Sequence, residues 1–303
     1  MTPARPQEPP QTVRVGDRDV RLTHLDRVLY PATGLTKAEA IDYVVRVAPA
    51  LLAQLHERPV TRIRFPSGVG GETFFEKNTP RGAPSWLRRQ TLPAAPGRDA
   101  DGEDDGTLLE LPFLDDLAGL VWATNAGALE LHTPQWTVGP RGGVRNPDRL
   151  VVDLDPGAPA GLAECARVAH LVADRLRADD LTTVPVTSGS KGMQLYAALP
   201  GRRTAMEVRQ YARDLAHELA AAHPGLVTAV MRKDVRGGKV LLDWSQNHPA
   251  KTTITPYSLR GRERPAVAAP RWWDEVGPDL VQLAPDEVLD RLESDGDPFT
   301  AGA

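Results

Sequence analysis

A chain of 303 residues, 41% of them apolar and 25% charged, has an ordinary globular composition and ample length for a core, as one large or two small domains. Its formal charge of −4 argues against a protein that coats nucleic acid indiscriminately, and no apolar run long enough to span a membrane and no signal-peptide pattern is present. The single cysteine, Cys165, lies in an apolar helical pattern, which rules out an intrachain disulfide framework or thiolate zinc site and leads us to expect a reducing, cytoplasmic setting.

Residues 1–11 are polar and proline-rich and are expected to be a disordered tail, ahead of a folded unit over 12–295 and a flexible end at 296–303. Val13, Val15, Val20 and Leu22 alternate about Gly16-Asp17, a hairpin pattern. After a loop at 29–34, Thr36 and Glu39 form a capping box. It opens a helix whose apolar stripe is Ile41, Val44, Val45, Ala48, Leu51, Leu52 and Leu55. The first N–H groups of that helix, with Arg27 and Lys37, form a candidate anion site, although ordinary surface cations at a helix start explain the same residues equally well.

Residues 59–75 read as strand, turn, strand, with Arg58, Arg62 and Arg64 among apolar neighbours. Phe74 and Phe75 are adjacent, so on a strand they face opposite ways. One is expected in the core and the other free to stack a base, against the alternative of two core rings. The acid-rich segment 93–106 has no periodicity and reads as a mobile loop that repels DNA. A helix is expected over 114–129, then an alternating strand over 130–136 that carries His132, where the usual outcome for a lone histidine is a structural role.

The chemistry gathers on two later strands. In Arg149-Leu-Val-Val-Asp-Leu-Asp-Pro-Gly157, alternation puts Leu150, Val152 and Leu154 on one face and Val151, Asp153 and Asp155 on the other. The Pro-Gly stop leaves both carboxylates at the strand's terminal edge. A two-residue step separates them by roughly 7 Å, close enough to share metal ions about 3.5–4 Å apart, whereas the bland alternative is a pair of solvated acids. A second strand, 238–245, sets Val240, Leu242 and Trp244 against Leu241, Asp243 and Ser245. Three acids on two strands suit a hard divalent cation, Mg²⁺ or Mn²⁺, and a phosphoryl or nucleotidyl transfer site.

Between these strands come a helix at about 161–178, a strand at 183–187 and the turn Ser188-Gly-Ser-Lys191-Gly192. Its glycines let backbone N–H groups approach a phosphate, with Lys191 as a point charge. The turn lacks Walker A spacing and is a weak signal alone. Thr204 and Glu207 form another capping box, opening a helix to about Ala222 with Met206, Val208, Tyr211, Leu215 and Leu219 buried. Arg232, Lys233, Arg236 and Lys239 precede Asp243, and 272–295 read as a peripheral helical tail with Trp272 and Trp273 against the body.

Taken together, these motifs resemble the polymerase domain of the bacterial ligase D proteins, a member of the archaeo-eukaryotic primase superfamily used in non-homologous end joining. The resemblance runs from about Leu22 to Asp290. It rests on Leu29-Tyr-Pro, Phe74-Phe-Glu-Lys77, Leu129-Glu-Leu-His132-Thr-Pro-Gln-Trp136, Asp153-Leu-Asp155-Pro-Gly, Thr187-Ser-Gly-Ser-Lys-Gly192, Val240-Leu-Leu-Asp243-Trp-Ser-Gln-Asn247 and Pro256-Tyr-Ser-Leu-Arg-Gly-Arg262, in that order. It implies an α+β catalytic domain in which two sheets bracket the active site. It also implies template-dependent primer extension with ribo- or deoxyribonucleoside triphosphates at gaps or double-strand break ends, using two ions, Mn²⁺ ahead of Mg²⁺.

Residue by residue, Asp153 and Asp155 match the metal-binding pair and Asp243 the third acid. Ser188 and Lys191 match the nucleotide loop, His132 and Arg260 further nucleotide contacts, and Phe74 and Phe75 the aromatics beside nucleotide and template. Arg27 and Lys37 match two cations that hold a DNA 5′-phosphate. Gln194 stands where the family usually carries histidine: an amide still bonds a phosphate or ribose but carries no charge. Arg27 stands where lysine is usual, which keeps the charge and adds bidentate geometry.

The implied partners are DNA with a gap or broken end bearing a 5′-phosphate, nucleoside triphosphates, a DNA ligase and an end-binding protein such as Ku, in a cytoplasmic, nucleoid-associated setting without a membrane. Two rivals stand beside this reading. One is a stand-alone gap-filling polymerase of excision repair, and the other a weakened polymerase that chiefly binds DNA ends. The presence of all three acids disfavours the second.

Overall fold

The structure, a computed structural model, describes residues 9–96 and 107–300. Most of the proline-rich tail and of the acid-rich segment expected to be a loop therefore lies outside the described residues. Gln11, assigned to the tail, already pairs with Leu22 in the expected hairpin, Gln11–Val15 with Arg18–Leu22.

Two sheets form the middle of the molecule. The larger has six strands in the order Val227–Thr228, Val240–Leu242, Arg149–Pro156, Met193–Ala198, Thr183–Thr187 and Ala269–Pro270. Leu150, Val152 and Leu154 face helices Leu162–Arg177 and Ala205–Ala222 and form one core with them. The opposite face brings Val151 and Tyr196 against Ile254, which belongs to the second sheet. That sheet runs Thr253–Ile254, Ala128–Thr133, Thr61–Arg64 and Phe74–Glu76. Its own outer face packs on helix Lys37–Leu55, with Leu129 and Leu131 in the shared core. The layers thus run helices, sheet, sheet, helices. Strand alternation sends Asp153 from one sheet, and Glu130 and His132 from the other, to faces turned away from those two cores.

Local signals mostly act as expected. Thr36 Oγ1 accepts from the N–H of Glu39, and the Glu39 carboxylate accepts from the N–H of Thr36 at 2.7 Å, closing the capping box. Thr204 and Glu207 do the same for the later helix. Tertiary packing shifts several boundaries. Val45 is 39% exposed and drops out of the first helix's buried stripe. The helix expected over 114–129 is only Leu117–Asn125, because Gly127 takes φ +85° to turn the chain, and a Cβ there would lie 3.0 Å from Pro66 Cα. The strand that follows starts early, as Ala128–Thr133. In the 29–34 stretch, read as a loop, Val28–Tyr30 pairs with Leu35–Thr36. Met206 and Tyr211 are half-buried, not core.

The tail contains a 3₁₀ turn, Trp273–Glu275, and helix Pro285–Ser294. Trp273 Nε1 donates to Thr183 O at 2.8 Å, which docks the tail to the large sheet. Beyond the helix, Tyr257 Oη donates to Asp297, and Phe299 meets the Tyr196 ring edge-on at 5.8 Å. No helix among the described residues is long and apolar enough to cross a membrane.

Candidate active site

Asp153 and Asp155 stand at the end of the central strand, and its two neighbours bring the remaining groups. Antiparallel pairing sets Asp153 opposite Gln194 on one side and Asp155 opposite Leu241 on the other. The strand expected to carry Asp243 ends at Leu242, and Asp243 is the cap of the 3₁₀ turn Trp244–Asn247. The N–H of Asp243 donates to Asp153 O at 2.9 Å, so the backbone still holds the third acid against the first. One ligand atom from each of Asp153, Asp155 and Asp243 lies within 4.8 Å of the others.

Hydrogen bonds orient two of the three carboxylates. Asp243 accepts from Ser245 N at 3.0 Å, from Ser245 Oγ, and from Gln246 Nε2 at 3.0 Å. Asp153 accepts from Gln194 Nε2 at 3.0 Å, and Gln194 Oε1 accepts from Tyr196 Oη at 2.9 Å. The sequence-based expectation for Gln194 is a phosphate or ribose, yet its amide N–H is already directed at a carboxylate of the acid cluster. Burial, then the charges of Asp155 and Asp243, push Asp153 up to about 8, while Gln194 and Arg260 oppose the shift. Asp155 is also raised, by burial and by Asp243, against the pull of Arg236. Three crowded carboxylates with all-oxygen donors and a strained charge balance fit a hard divalent cation.

A cleft of about 250 Å³ opens beside the acids, lined by Asp153, Asp155, Ser188, Lys191, His132 and Arg260. The structure thus gathers seven of the sequence-predicted residues, Gln194 among them, around one space together with Gly192. The Ser188–Gly192 turn is pressed against its surroundings: a Cβ on Gly192 would sit 2.0 Å from Leu154 O, and on Gly189, at φ +66°, 2.4 Å from Arg260 Cγ. Gln282 clamps the turn from outside, accepting from Gly189 N at 2.6 Å and donating to Gly192 O at 3.0 Å.

On the facing sheet, Glu130 ties three groups together. It meets His132 Nε2 at 3.0 Å, accepts from Gly261 N at 3.0 Å, and lies 3.4 Å from Arg260 Nε. Burial alone would raise its pKa, but the His132 bond and the Arg260 charge hold the carboxyl below the ordinary value. Burial lowers the pKa of His132, with Arg260 and Arg262 adding to the effect against Glu130. Neutral His132 therefore carries its proton on Nε2, toward Glu130, and Nδ1 is left as an acceptor. Glu130, Gln246, Arg262 and Gln282 escaped the sequence reading as site residues. Glu130 had one legible signal, its position two residues before His132 on the same strand face.

The other sequence-predicted residues lie outside this cleft's lining. Phe74 and Phe75 are 37% and 60% exposed, which corrects the expectation of one core ring, since their strand forms the edge of its sheet. Arg27 and Lys37 share a separate neighbourhood: Lys37 N donates to Arg27 O at 2.8 Å. Lys37 is buried, not a surface cation, and its Nζ donates to Thr23 O at 2.8 Å and Asn125 O at 2.9 Å. Burial first, then Arg27 and Arg64, lower its pKa to about 8. A concavity of about 580 Å³ lies elsewhere, by Leu199 and Tyr211, where Asp179 is already paired with Arg175 and Tyr211.

The family model described as LigD, primase-polymerase domain, matches residues 36–299. The chain belongs to this family. A multifunctional non-homologous end joining protein LigD of Mycolicibacterium smegmatis is 46% identical over 280 residues, covering 92% of this chain and 35% of that protein. The bifunctional LigD of Bacillus subtilis is 34% identical over 283 residues, 92% of this chain and 43% of its own length. The chain thus spans well under half the length of these LigD proteins. Among solved structures, the polymerase domain of Mycobacterium tuberculosis ligase D in complex with DNA superposes with a TM-score of 0.85 at 45% identity, covering 92% of this chain and 96% of that one. The primase-polymerase fold of the LigD family, α+β with two sheets flanking the cleft, is therefore the fold of this chain.

Proposed function

We propose that this LigD-type primase-polymerase domain adds nucleotides from ribo- or deoxyribonucleoside triphosphates to a primer 3′-hydroxyl, directed by a template, at gaps or broken ends during non-homologous end joining. One observation carries the reading: three carboxylates within 4.8 Å of one another, beside a cleft lined also by cationic and hydrogen-bonding side chains.

Asp153, Asp155 and Asp243 would hold two divalent ions, Mn²⁺ or Mg²⁺, which when bound lower the pKa of the 3′-hydroxyl and offset charge on the triphosphate. Lys191 and Arg260, both in the lining of the cleft, supply fixed positive charge to the phosphates. Glu130 aligns Arg260 and sets the His132 tautomer, so that the ring presents an acceptor to the bound nucleotide. Phe74 and Phe75 offer open ring faces at a sheet edge, suited to stacking bases. Arg27 and Lys37 are the proposed seat of a downstream 5′-phosphate, where the Lys37 ammonium retains one N–H beyond its two carbonyl partners.

We take residues 12–295 as one catalytic domain, most of which lies within the family match at 36–299, and a cytoplasmic, nucleoid-associated location with a ligase and a Ku-like end-binding protein as partners. Primer extension on a gapped, 5′-phosphorylated duplex tests the reading, with ribo- against deoxyribonucleotides and Mn²⁺ against Mg²⁺. Metal-dependent, templated extension that Asp243→Ala abolishes is the expected result; extension that survives this change, or none from the unmodified protein, refutes it.

A further inference from the structure

The Ser188–Gly192 turn carries two of the groups assigned to the nucleotide, Ser188 and Lys191, and its own hydrogen bonds hold it only in part. Ser188 N donates to Gly192 O at 3.0 Å and closes the turn, and Ser190 N reaches Ser188 Oγ at 3.3 Å. Gly189 is buried, so its N–H needs an acceptor inside the protein.

That acceptor comes from far along the chain. Gln282 Oε1 takes the Gly189 N–H at 2.6 Å, and Gln282 Nε2 donates at 3.0 Å to Gly192 O, the same oxygen that Ser188 N uses. One side-chain amide thus spans both ends of the turn, and only one placement of its oxygen and nitrogen satisfies both bonds. The backbone on each side of Gln282 is fixed in turn. Val267 N donates to Leu283 O at 3.0 Å, and Arg271 Nη1 donates to Val281 O at 3.1 Å. Leu280 is buried in the core of the large sheet and Leu283 in the core of the second sheet. The amide therefore refers the turn to both sheets at once. On its other flank the turn meets the strand that carries Arg260: a Cβ on Gly189 would lie 2.4 Å from Arg260 Cγ and 2.7 Å from Val267 O. A shift of the turn changes the spacing between Lys191 and Arg260, both of which line the cleft.

We propose that Gln282 is a positioning residue of the nucleotide site, holding the Ser188–Gly192 turn where Ser188, Lys191 and Arg260 meet one triphosphate. Gln282 stands outside the lining of the cleft and acts through the turn. The Lys191 side chain is exposed and flexible, so the placement of its backbone decides how often its ammonium reaches the phosphates. This inference rests on the polymerase reading and adds the segment between the 3₁₀ turn and the last helix to what sets nucleotide affinity.

Steady-state primer extension, with the nucleotide titrated at saturating DNA and Mn²⁺, compares Gln282→Met, which keeps the bulk of the side chain without either bond, with Gln282→Ala. Both should raise the nucleotide KM about tenfold and leave kcat within about threefold of the unmodified protein. The Mn²⁺ requirement should not move, because the amide bonds the turn and none of the three acids. In a Lys191→Ala background, Gln282→Met should raise KM by less than about threefold, since the charge that the clamp positions is gone. A packing role gives a different pattern, a lower melting temperature for Gln282→Ala and an unmodified KM for Gln282→Met. That pattern overturns the proposal, as does full additivity with Lys191→Ala. Should a variant lose thermal stability, equilibrium nucleotide affinity by titration calorimetry below its melting transition decides the matter. An unmodified protein that extends no primer overturns the polymerase reading itself, a result distinct from any failure confined to the Gln282 variants.

Discussion

Replacing Asp153 by Asn should stabilise the metal-free protein while removing its response to metal. The structure places this carboxyl beside Asp155 and Asp243 and raises it from 3.8 to about 8. The sign follows from linkage. An acid whose folded pKa lies above its unfolded one binds protons more tightly when folded, so it costs stability as pH rises between those two values and no more beyond the higher one. At pH 7.5 the span above 3.8, at about 1.36 kcal/mol per unit, bounds the cost near ~5 kcal/mol. The carboxyl borders an open cleft, and solvent screening reduces this to about 2 kcal/mol. Asn keeps an oxygen for Gln194 Nε2 to bond, so little else is lost. At about 1.5–2 °C per kcal/mol for a chain of this length, Asp153→Asn should melt about 3–4 °C higher than the unmodified protein in chelator at pH 7.5. Scanning calorimetry from pH 5 to pH 9 checks this: the advantage should grow up to about pH 8 and then level off. Added Mn²⁺ should raise the melting temperature of the unmodified protein and leave the variant unmoved. A variant that melts at or below the unmodified protein in chelator, or that keeps its metal response, refutes the crowded-carboxylate argument.

Gln194→Leu removes the N–H given to Asp153 and strips Tyr196 Oη of one partner, so Mn²⁺ affinity should fall about 10–100-fold with the fold retained; titration calorimetry reads it, and unaltered affinity would show that the amide does not orient the acid. Glu130→Gln should raise the nucleotide KM about tenfold with a smaller effect on kcat, because Arg260 and His132 lose their common anchor. The same change has a stability signature: the lowered Glu130 carboxyl contributes stability above its unfolded pKa and loses it as pH falls through the folded one, so acid unfolding should be less steep in the variant. The unmodified protein should prefer recessed DNA with a 5′-phosphate over the 5′-hydroxyl form, and Arg27→Ala/Lys37→Ala should lose that preference in a competition binding assay.

Much of this architecture is legible in the amino-acid sequence, for reasons that are local. Period-two alternation places Asp153 and Asp155 on one face of a strand, and the capping boxes at Thr36 and Thr204 fix two helix starts, because side chains three residues apart can satisfy only those N–H groups. The glycines at 189 and 192 mark a close approach that the packing against Arg260 and Leu154 explains. What only the tertiary structure decided depends on which elements become neighbours. Asp243 left its strand to cap a 3₁₀ turn, yet reached Asp153 through a backbone hydrogen bond that no spacing rule contains. Gln194 faces Asp153 because the register of two strands sets these residues, 41 positions apart, opposite each other. Lys37, read from the sequence as part of an anion site or as an ordinary surface cation, is buried, since Thr23 and Asn125, far apart in sequence, close over it. Glu130 meets His132 and Arg260 only because the second sheet lies against the Leu259–Arg260 strand. Periodicity and capping act within a few residues and are written into the chain. Burial, register and charge crowding arise between distant segments, and they raise the pKa of the acids proposed to hold the metal.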